Sequence, residues 1–327
     1  MSSPPIEKTQ AAPRSGRNRL WTAIKLGLTV LLLILLARRV DVGSVVQVLG
    51  AISTQGLVAA AVLTFAAIGV SAWRWLRVLR YLGKEAGFLA LFGDVLVGST
   101  YNLLLPTSVG GDVIRSIRCS ARVGAADAWA SVAFERIMGL FSLALVSWLG
   151  LWVTSFGSNR QLVLVAAAAT GILLLALVAA PAPLRLLKRG LERWGLTKLA
   201  KAIAKIADAF SGPLRSSWAR GETLLWSLAY QLVSLSILYV VVREWSLPQA
   251  AVAIYLAVPI ALIISTAPVT IGGLGLREGL FVAILAPFGF GSERALALSL
   301  VWLCSSGLAA VAGVAIMLLI PNPKAEL

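Results

Sequence analysis

Residues 106–115 read Pro106-Thr107-Ser108-Val109-Gly110-Gly111-Asp112-Val113-Ile114-Arg115, and residues 268–277 read Pro268-Val269-Thr270-Ile271-Gly272-Gly273-Leu274-Gly275-Leu276-Arg277. Aligned without a gap, the two stretches share the proline, a hydroxyl at Ser108 and Thr270, a β-branched residue, a Gly-Gly pair and the closing arginine. Each interrupts a strongly apolar run. Proline removes an amide donor and paired glycines permit backbone shapes that other residues resist, so neither stretch continues as one unbroken helix. The backbone-breaking residues are Pro106, Gly110 and Gly111 in the first copy, and Pro268, Gly272, Gly273 and Gly275 in the second. In hydrocarbon a freed backbone is tolerated only where it is buried in protein or lines a cavity. Two such interruptions in corresponding halves of one chain point to the substrate site of a transporter.

Working outward, the composition sets the class. Of 327 residues, 59% are hydrophobic and 13% charged, which predicts an all-α integral membrane protein, a polytopic helical bundle. The net charge of +15 sits in gaps between apolar runs. That is the pattern of cytoplasmic loops and not of a nucleic-acid-binding face. With no histidine the commonest general base and zinc ligand are missing. Cys119 and Cys304 lie far apart, so no disulfide, metal or cofactor is expected. Residues 1–19, with Arg14, Arg17 and Arg19 among prolines, read as a disordered basic cytoplasmic tail. The apolar run after them is too long for a removable signal peptide and reads as a retained first span.

A single membrane domain is expected over 20–320, with a cytoplasmic tail at 321–327. About six full spans are expected, at 20–37, 54–72, 128–153, 162–180, 223–242 and 295–320. Trp73 to Tyr81, with Arg74, Arg77 and Arg80, reads as an aromatic and basic belt at the cytoplasmic interface. The broken elements cover about 87–112 and 249–290. Arg115, Arg118 and Arg122 follow the first, and a full crossing would place all three outside, so a re-entrant hairpin is favoured. The first element is approached from the cytoplasm and the second from outside, so the two are expected to be inverted. If the broken elements cross fully, the count becomes seven or eight. Residues 181–222 carry apolar positions at helical spacing among many basic residues, the pattern of amphipathic helices lying on an anionic cytoplasmic leaflet. Both termini then lie in the cytoplasm.

A glycine-rich break beside an arginine suits phosphate, because exposed amides and a two-pronged guanidinium both match its oxygens. In a membrane the obvious phosphate is a lipid headgroup. Arg115 and Arg277 are the candidate phosphate holders, with Ser108, Thr270 and Asn102 as hydroxyl and amide contacts and Asp112 beside the first arginine. Glu135 and Arg136 lie within the first third of a span, where each ionised group costs roughly 2.5 to 3.5 kcal/mol unless partnered. They read either as a bridge that locks two helices or as a carboxylate that orients Arg115 or Arg136 toward a ligand. Glu278 is the corresponding acid beside Arg277. The run Gly273 to Glu278 is not a dinucleotide loop, since Glu278 fills the third glycine slot and no strand precedes it.

Asn102 to Arg115, Ser131 to Arg136 and Pro268 to Glu278 together resemble the membrane domain attached to bacterial lysylphosphatidylglycerol synthases. That domain is also found alone in flippase-like proteins and in archaeal dolichol-phosphate sugar synthases. The resemblance spans about 20 to 320. It implies a helical bundle with re-entrant helices that transfers phospholipid or a related polar lipid between leaflets. Met138 and Gly139 stand where family members often carry an acid after the Glu-Arg pair. Lysine-transferring members attach a soluble catalytic domain, which the chain to Leu327 lacks, so it is not expected to make aminoacylated lipid by itself.

The leading expectation is a lipid flippase or lipid-translocation factor of the bacterial cytoplasmic membrane, acting on membrane lipids with an anionic headgroup and not itself an enzyme. In it Arg115 and Arg277 meet near the midplane and alternately hold the phosphate, oriented by Glu135 and Glu278. An alternative is an intramembrane enzyme on a lipid-phosphate donor, using Asp112, Glu135 and Glu278 as acid or base groups. Another is a scaffold whose 181–222 segment recruits a cytoplasmic synthase. A change in the chemical identity of added lipid would mark the enzyme, and loss of a partner on deleting 181–222 would mark the scaffold.

Overall fold

The structure, a computed structural model, describes residues 26, 27, 29–31, 34, 41–105, 109–153, 181–193, 197, 200, 201, 203, 204, 207, 208, 213–247, 249–266, 270 and 273–319. The expected tails at 1–19 and 321–327 and the span at 162–180 lie outside the described residues. So do most of the span at 20–37, much of the basic segment at 181–222, and Pro106, Ser108, Pro268 and Gly272.

Among the described residues the regular elements are helices, with no strand. Helix α1 (Val42–Gly50) is capped by Asp41, which accepts from the amides of Gly43 and Ser44. The Ser44 hydroxyl and these amides hold the Asp41 carboxyl below the usual carboxylate range. Ser53 caps α2 (Thr54–Tyr81). Next come α3 (Phe88–Leu104), α4 (Gly110–Val123), α5 (Ala125–Val153) and the basic helix α6 (Pro181–Arg193). The second half holds α7 (Ser217–Val242), α8 (Ala250–Ser265), α9 (Leu276–Leu285) and α10 (Ser292–Leu319).

Four helical stretches are long and apolar enough to cross a membrane: Thr54–Tyr81, Ala125–Trp148, Ser217–Trp245 and Ser292–Leu319. They correspond to the expected spans at 54–72, 128–153, 223–242 and 295–320. A helix of 28 residues such as α10 is about 42 Å long, more than the roughly 30 Å of hydrocarbon. Its Val311, Leu318 and Leu319, like Val58 and Val62 of α2 and Leu225 of α7, are exposed, which in a bundle of this composition is the face offered to lipid. The second span differs from expectation at its end. No breaker follows residue 72 until Gly83, and arginine is a good helix former, so α2 continues through Trp73 to Tyr81. The stretch read as an interfacial belt is thus helix, and Arg74 within it is buried in the bundle.

Both interrupted stretches are pairs of short helices. Asn102 bonds to Gly111 and Asp94 pairs with Arg118 and Arg122, so residue numbers fall along α3 as they rise along α4. That is an antiparallel hairpin. At 17 and 14 residues its arms are about 25 and 21 Å long, less than the roughly 30 Å of hydrocarbon. In the second pair the carbonyl of Ser265 lies against Gly273, bringing the end of α8 to the break before α9. Gly273 and Gly275 have φ of 77° and 78°, a region that L side chains rarely adopt, so these glycines form the break. The Gly111 requirement is different: a Cβ there would collide with the Gly98 carbonyl and the Asn102 side chain.

Two apolar cores flank the hairpins. Trp75, Leu79, Leu91, Cys119, Val123, Ala128 and Val132 join α2 to α5 around the first. Leu143, Leu235, Leu238, Ile254, Phe281, Leu285 and Leu298 join α5 and α7 to α10 around the second. Helix α10 packs along α3, where Thr100 Oγ1 donates to the Ala310 carbonyl at 2.8 Å. A Cβ on Gly313 would meet the Leu96 carbonyl and Thr100 Oγ1. Gly313→Val should therefore force the two helices apart and cost about 1 to 3 kcal/mol, read as a lower thermal midpoint in detergent. An unchanged midpoint would contradict the close approach.

Candidate functional site

The first hairpin carries its charges in one stripe. Arg115, Arg118 and Arg122 of α4 lie at i, i+3 and i+7, so they share a face. Arg115 is 8% exposed and Glu135 fully buried. Arg115 Nη1 donates to Glu135 Oε2 at 2.9 Å and its Nε to Asp112 Oδ1 at 3.0 Å. The Trp75 ring of α2 lies beneath the guanidinium, 4.9 Å from its carbon to the ring centroid. The other Glu135 oxygen, Oε1, accepts from Arg74 Nε at 2.8 Å. Arg74 also donates from Nη1 to Ser227 Oγ of α7 at 3.1 Å and stacks on Tyr230. Asp112 Oδ2 accepts from Arg136 Nη1 at 2.9 Å. Arg74, Glu135, Arg115, Asp112 and Arg136 thus form one alternating chain of charges across α2, α4 and α5.

Beside it, Asp94 of α3 is 1% exposed and takes two guanidiniums. Arg118 Nε donates to Oδ1 at 2.8 Å, and Arg122 pairs with Oδ2. Each shared carboxylate ties separate helices, and each is held by two arginines, so the charge taken from water is met by opposing charge.

The second copy is smaller. Arg277 Nη2 donates to Glu278 Oε1 at 2.6 Å and Nε to Ser299 Oγ of α10 at 3.1 Å, while Ser299 Oγ donates to the same Glu278 oxygen at 3.0 Å. Glu278 Oε2 accepts from the Gly275 amide at 2.6 Å, closing the start of α9. Thr270 is buried, and its hydroxyl has no partner among the described residues. Removing the Ser299 hydroxyl in Ser299→Ala should cost about 1.5 to 3 kcal/mol, since it bonds two charged groups, seen as a lower thermal midpoint. No change would mean that the pair is held without α10.

The neighbours of the two arginines lie at different levels of α10. Arg277 bonds to Ser299, whereas Arg115 packs beside Gly98, whose helix turn bonds to Ala310. Residues 299 and 310 are eleven positions, about 16 Å, apart along α10. Asn102, expected to touch a ligand, instead gives its Oδ1 to the Gly111 amide at 2.8 Å, filling the cap that no α4 side chain supplies.

The sequence model described as lysylphosphatidylglycerol synthase TM region matches residues 22–313. The chain belongs to the lysylphosphatidylglycerol synthase transmembrane-region family. No curated protein matches it. The lysylphosphatidylglycerol synthase match takes in both hairpins and both arginine clusters, and makes the chain a membrane protein related to lipid modification or translocation.

Sequence reasoning did not name Arg74, Asp94, Arg118, Arg122 or Ser299 as site residues, and two of these carried a signal in the sequence. Asp94 is the one acid in the apolar run of α3, and a lone carboxylate at membrane depth is itself a functional signal. Arg74 was hidden by its neighbours Trp73 and Trp75, which resemble an interfacial belt. Its place next to the apolar run at 54–72 marks it as the deepest of Arg74, Arg77 and Arg80.

Proposed function

We propose that the protein translocates an anionic polar lipid between leaflets of the bacterial cytoplasmic membrane, with both termini in the cytoplasm, and is not itself an enzyme. The observation that carries this reading is the alternating ion network of Arg74, Glu135, Arg115, Asp112 and Arg136, set at the break of a hairpin of short helices. Ionised groups at such depth are expensive and are kept where they face a partner or a substrate path.

In this mechanism each hairpin is re-entrant, and the two are inverted. Arg115 serves the lipid phosphate on the cytoplasmic side of the bundle and Arg277 on the outer side, which is what a separation of about 16 Å along α10 supports. The phosphate takes over guanidinium hydrogen bonds that the carboxylates hold in its absence, so Asp112 and Glu135 keep Arg115 oriented and partnered between turnovers. Thr270 offers its hydroxyl at the second hairpin. Ser108 belongs to the first break and Gly272 to the second. Residues 181–222 lie on the anionic leaflet, where α6 exposes Leu186 and Leu187 beside its basic residues.

The test uses purified protein in liposomes with a headgroup-labelled phosphatidylglycerol. Label should reach the opposite leaflet faster than in protein-free vesicles, with every lipid recovered chemically unchanged. Altered lipid would support the enzyme, and a rate equal to protein-free vesicles would remove translocation.

A further inference from the structure

The charges of the first hairpin and of the α2 and α5 side chains that bond to it do not balance. Among the described residues, five guanidiniums, Arg74, Arg115, Arg118, Arg122 and Arg136, share three carboxylates, Asp94, Asp112 and Glu135. Every one of the five arginines has a partner, yet the set carries two positive charges more than it carries negative ones. The second hairpin has one arginine and one glutamate and is neutral, with Ser299 completing it. In a low-dielectric bundle a surplus of fixed charge is costly, and the group that relieves it most fully carries the opposite charge in equal amount.

Access and spacing agree with that stoichiometry. The Arg122 and Arg136 side chains are 26% and 35% exposed, whereas those of Arg115 and Arg118 are 10% and 11%. The stripe on α4 therefore runs from an open end at Arg122 to the enclosed Arg115, with side chains one helical turn apart, a spacing at which neighbouring guanidiniums can hold different oxygens of one phosphate.

We infer that the α4 arginine stripe is a site for a dianionic phosphate, the headgroup of a lipid phosphate monoester, in preference to the monoanionic phosphate of a diester lipid. This rests on the reading above that the first hairpin receives a lipid phosphate. A diester would leave one surplus charge and a monoester none. The neutral Arg277 pair then acts as a latch that the phosphate must open, while the first hairpin is the site that recruits it.

The experiment compares phosphatidic acid, a monoester, with phosphatidylglycerol, a diester, and with inorganic phosphate, each titrated onto the full chain in nanodiscs of neutral lipid. At pH 8 phosphatidic acid should bind about 10-fold tighter than phosphatidylglycerol or better, equivalent to about 1.4 kcal/mol. Phosphate monoesters lose their second charge near pH 6, so the preference should vanish at pH 5 while phosphatidylglycerol binding stays level. The groups facing the site are the arginines, the three carboxylates named, Tyr101 of α3 and Cys119 of α4, with no histidine in the chain to titrate in that window. Arg122→Gln should cut the preference toward unity and Arg122→Lys should keep it, both judged on protein that retains the wild-type thermal midpoint. Should Arg122→Gln lower that midpoint, the pH series on the wild type decides alone. Equal binding of the two lipids at pH 8 would overturn the dianion inference and leave lipid translocation standing. Binding of neither lipid would overturn both, and inorganic phosphate binding as tightly as phosphatidic acid would assign the site to a soluble anion.

Discussion

Glu135→Ala should lower the stability of the folded protein by about 3 to 5 kcal/mol, the usual cost of removing one partner from a buried ion pair. The effect is expected at the upper end because Glu135 serves two cations at once, Arg74 at 2.8 Å and Arg115 at 2.9 Å. Both would be left with less opposing charge in an interior where Glu135 itself is fully buried. Glu135→Gln keeps the shape and the acceptor oxygen but removes the charge, so it should recover only part of the loss. Double variants sharpen the test. Arg74→Met combined with Glu135→Ala should cost less than the sum of the single changes, because the second removal no longer strands a guanidinium. Thermal unfolding in one detergent, followed by tryptophan fluorescence, measures all of these, and additive losses would show that Arg74 and Glu135 do not act as a pair.

Arg115→Ala should slow lipid translocation roughly 30- to 150-fold, from the loss of about 2 to 3 kcal/mol of charged hydrogen bonding to the phosphate. The substitution leaves Asp112 bonded to Arg136 and Glu135 bonded to Arg74, so the neighbouring carboxylates keep one partner each. Arg115→Lys retains the charge without the two-pronged geometry and should fall between wild type and alanine. A purely structural role predicts otherwise: transport would then track the thermal midpoint across the series, with Asp41→Ala, which removes the cap of α1, as slow as Arg115→Ala at equal stability. Rates measured at matched folded fraction separate the cases.

The parts legible in the sequence are those governed by local rules. The four described spans announce themselves because an apolar run long enough to cross has few other uses, and the second break because Gly273 and Gly275 take a φ that other residues resist; Gly110 and Gly111, expected to break the chain, instead open α4. Glu135 was recognisable as needing a cation, and the structure gives it Arg115, one of the two candidates. The second cation, Arg74, lies 61 residues away on a different helix, and no local pattern encodes which helices become neighbours. The same limit applies to Asp94, joined to Arg118 and Arg122 only once the hairpin folds back. Asn102 shows a further limit. Its polarity in an apolar helix suggested a ligand contact, but the partner is the Gly111 amide, which needs it because α4 begins with glycine and has no capping side chain of its own. The two arginines occupy equivalent places in the repeat, yet their levels along α10 are set by packing at Ser299 and at Ala310, which repeat alignment does not contain.

The most direct measurement is native mass spectrometry of the protein released from its own membrane with lipids attached. Wild-type protein is expected to retain an anionic phosphate-bearing lipid, and Arg115→Ala, folded to the same midpoint, to lose it. Retention of the same lipid at the same occupancy by Arg115→Ala would contradict a phosphate site at the first hairpin.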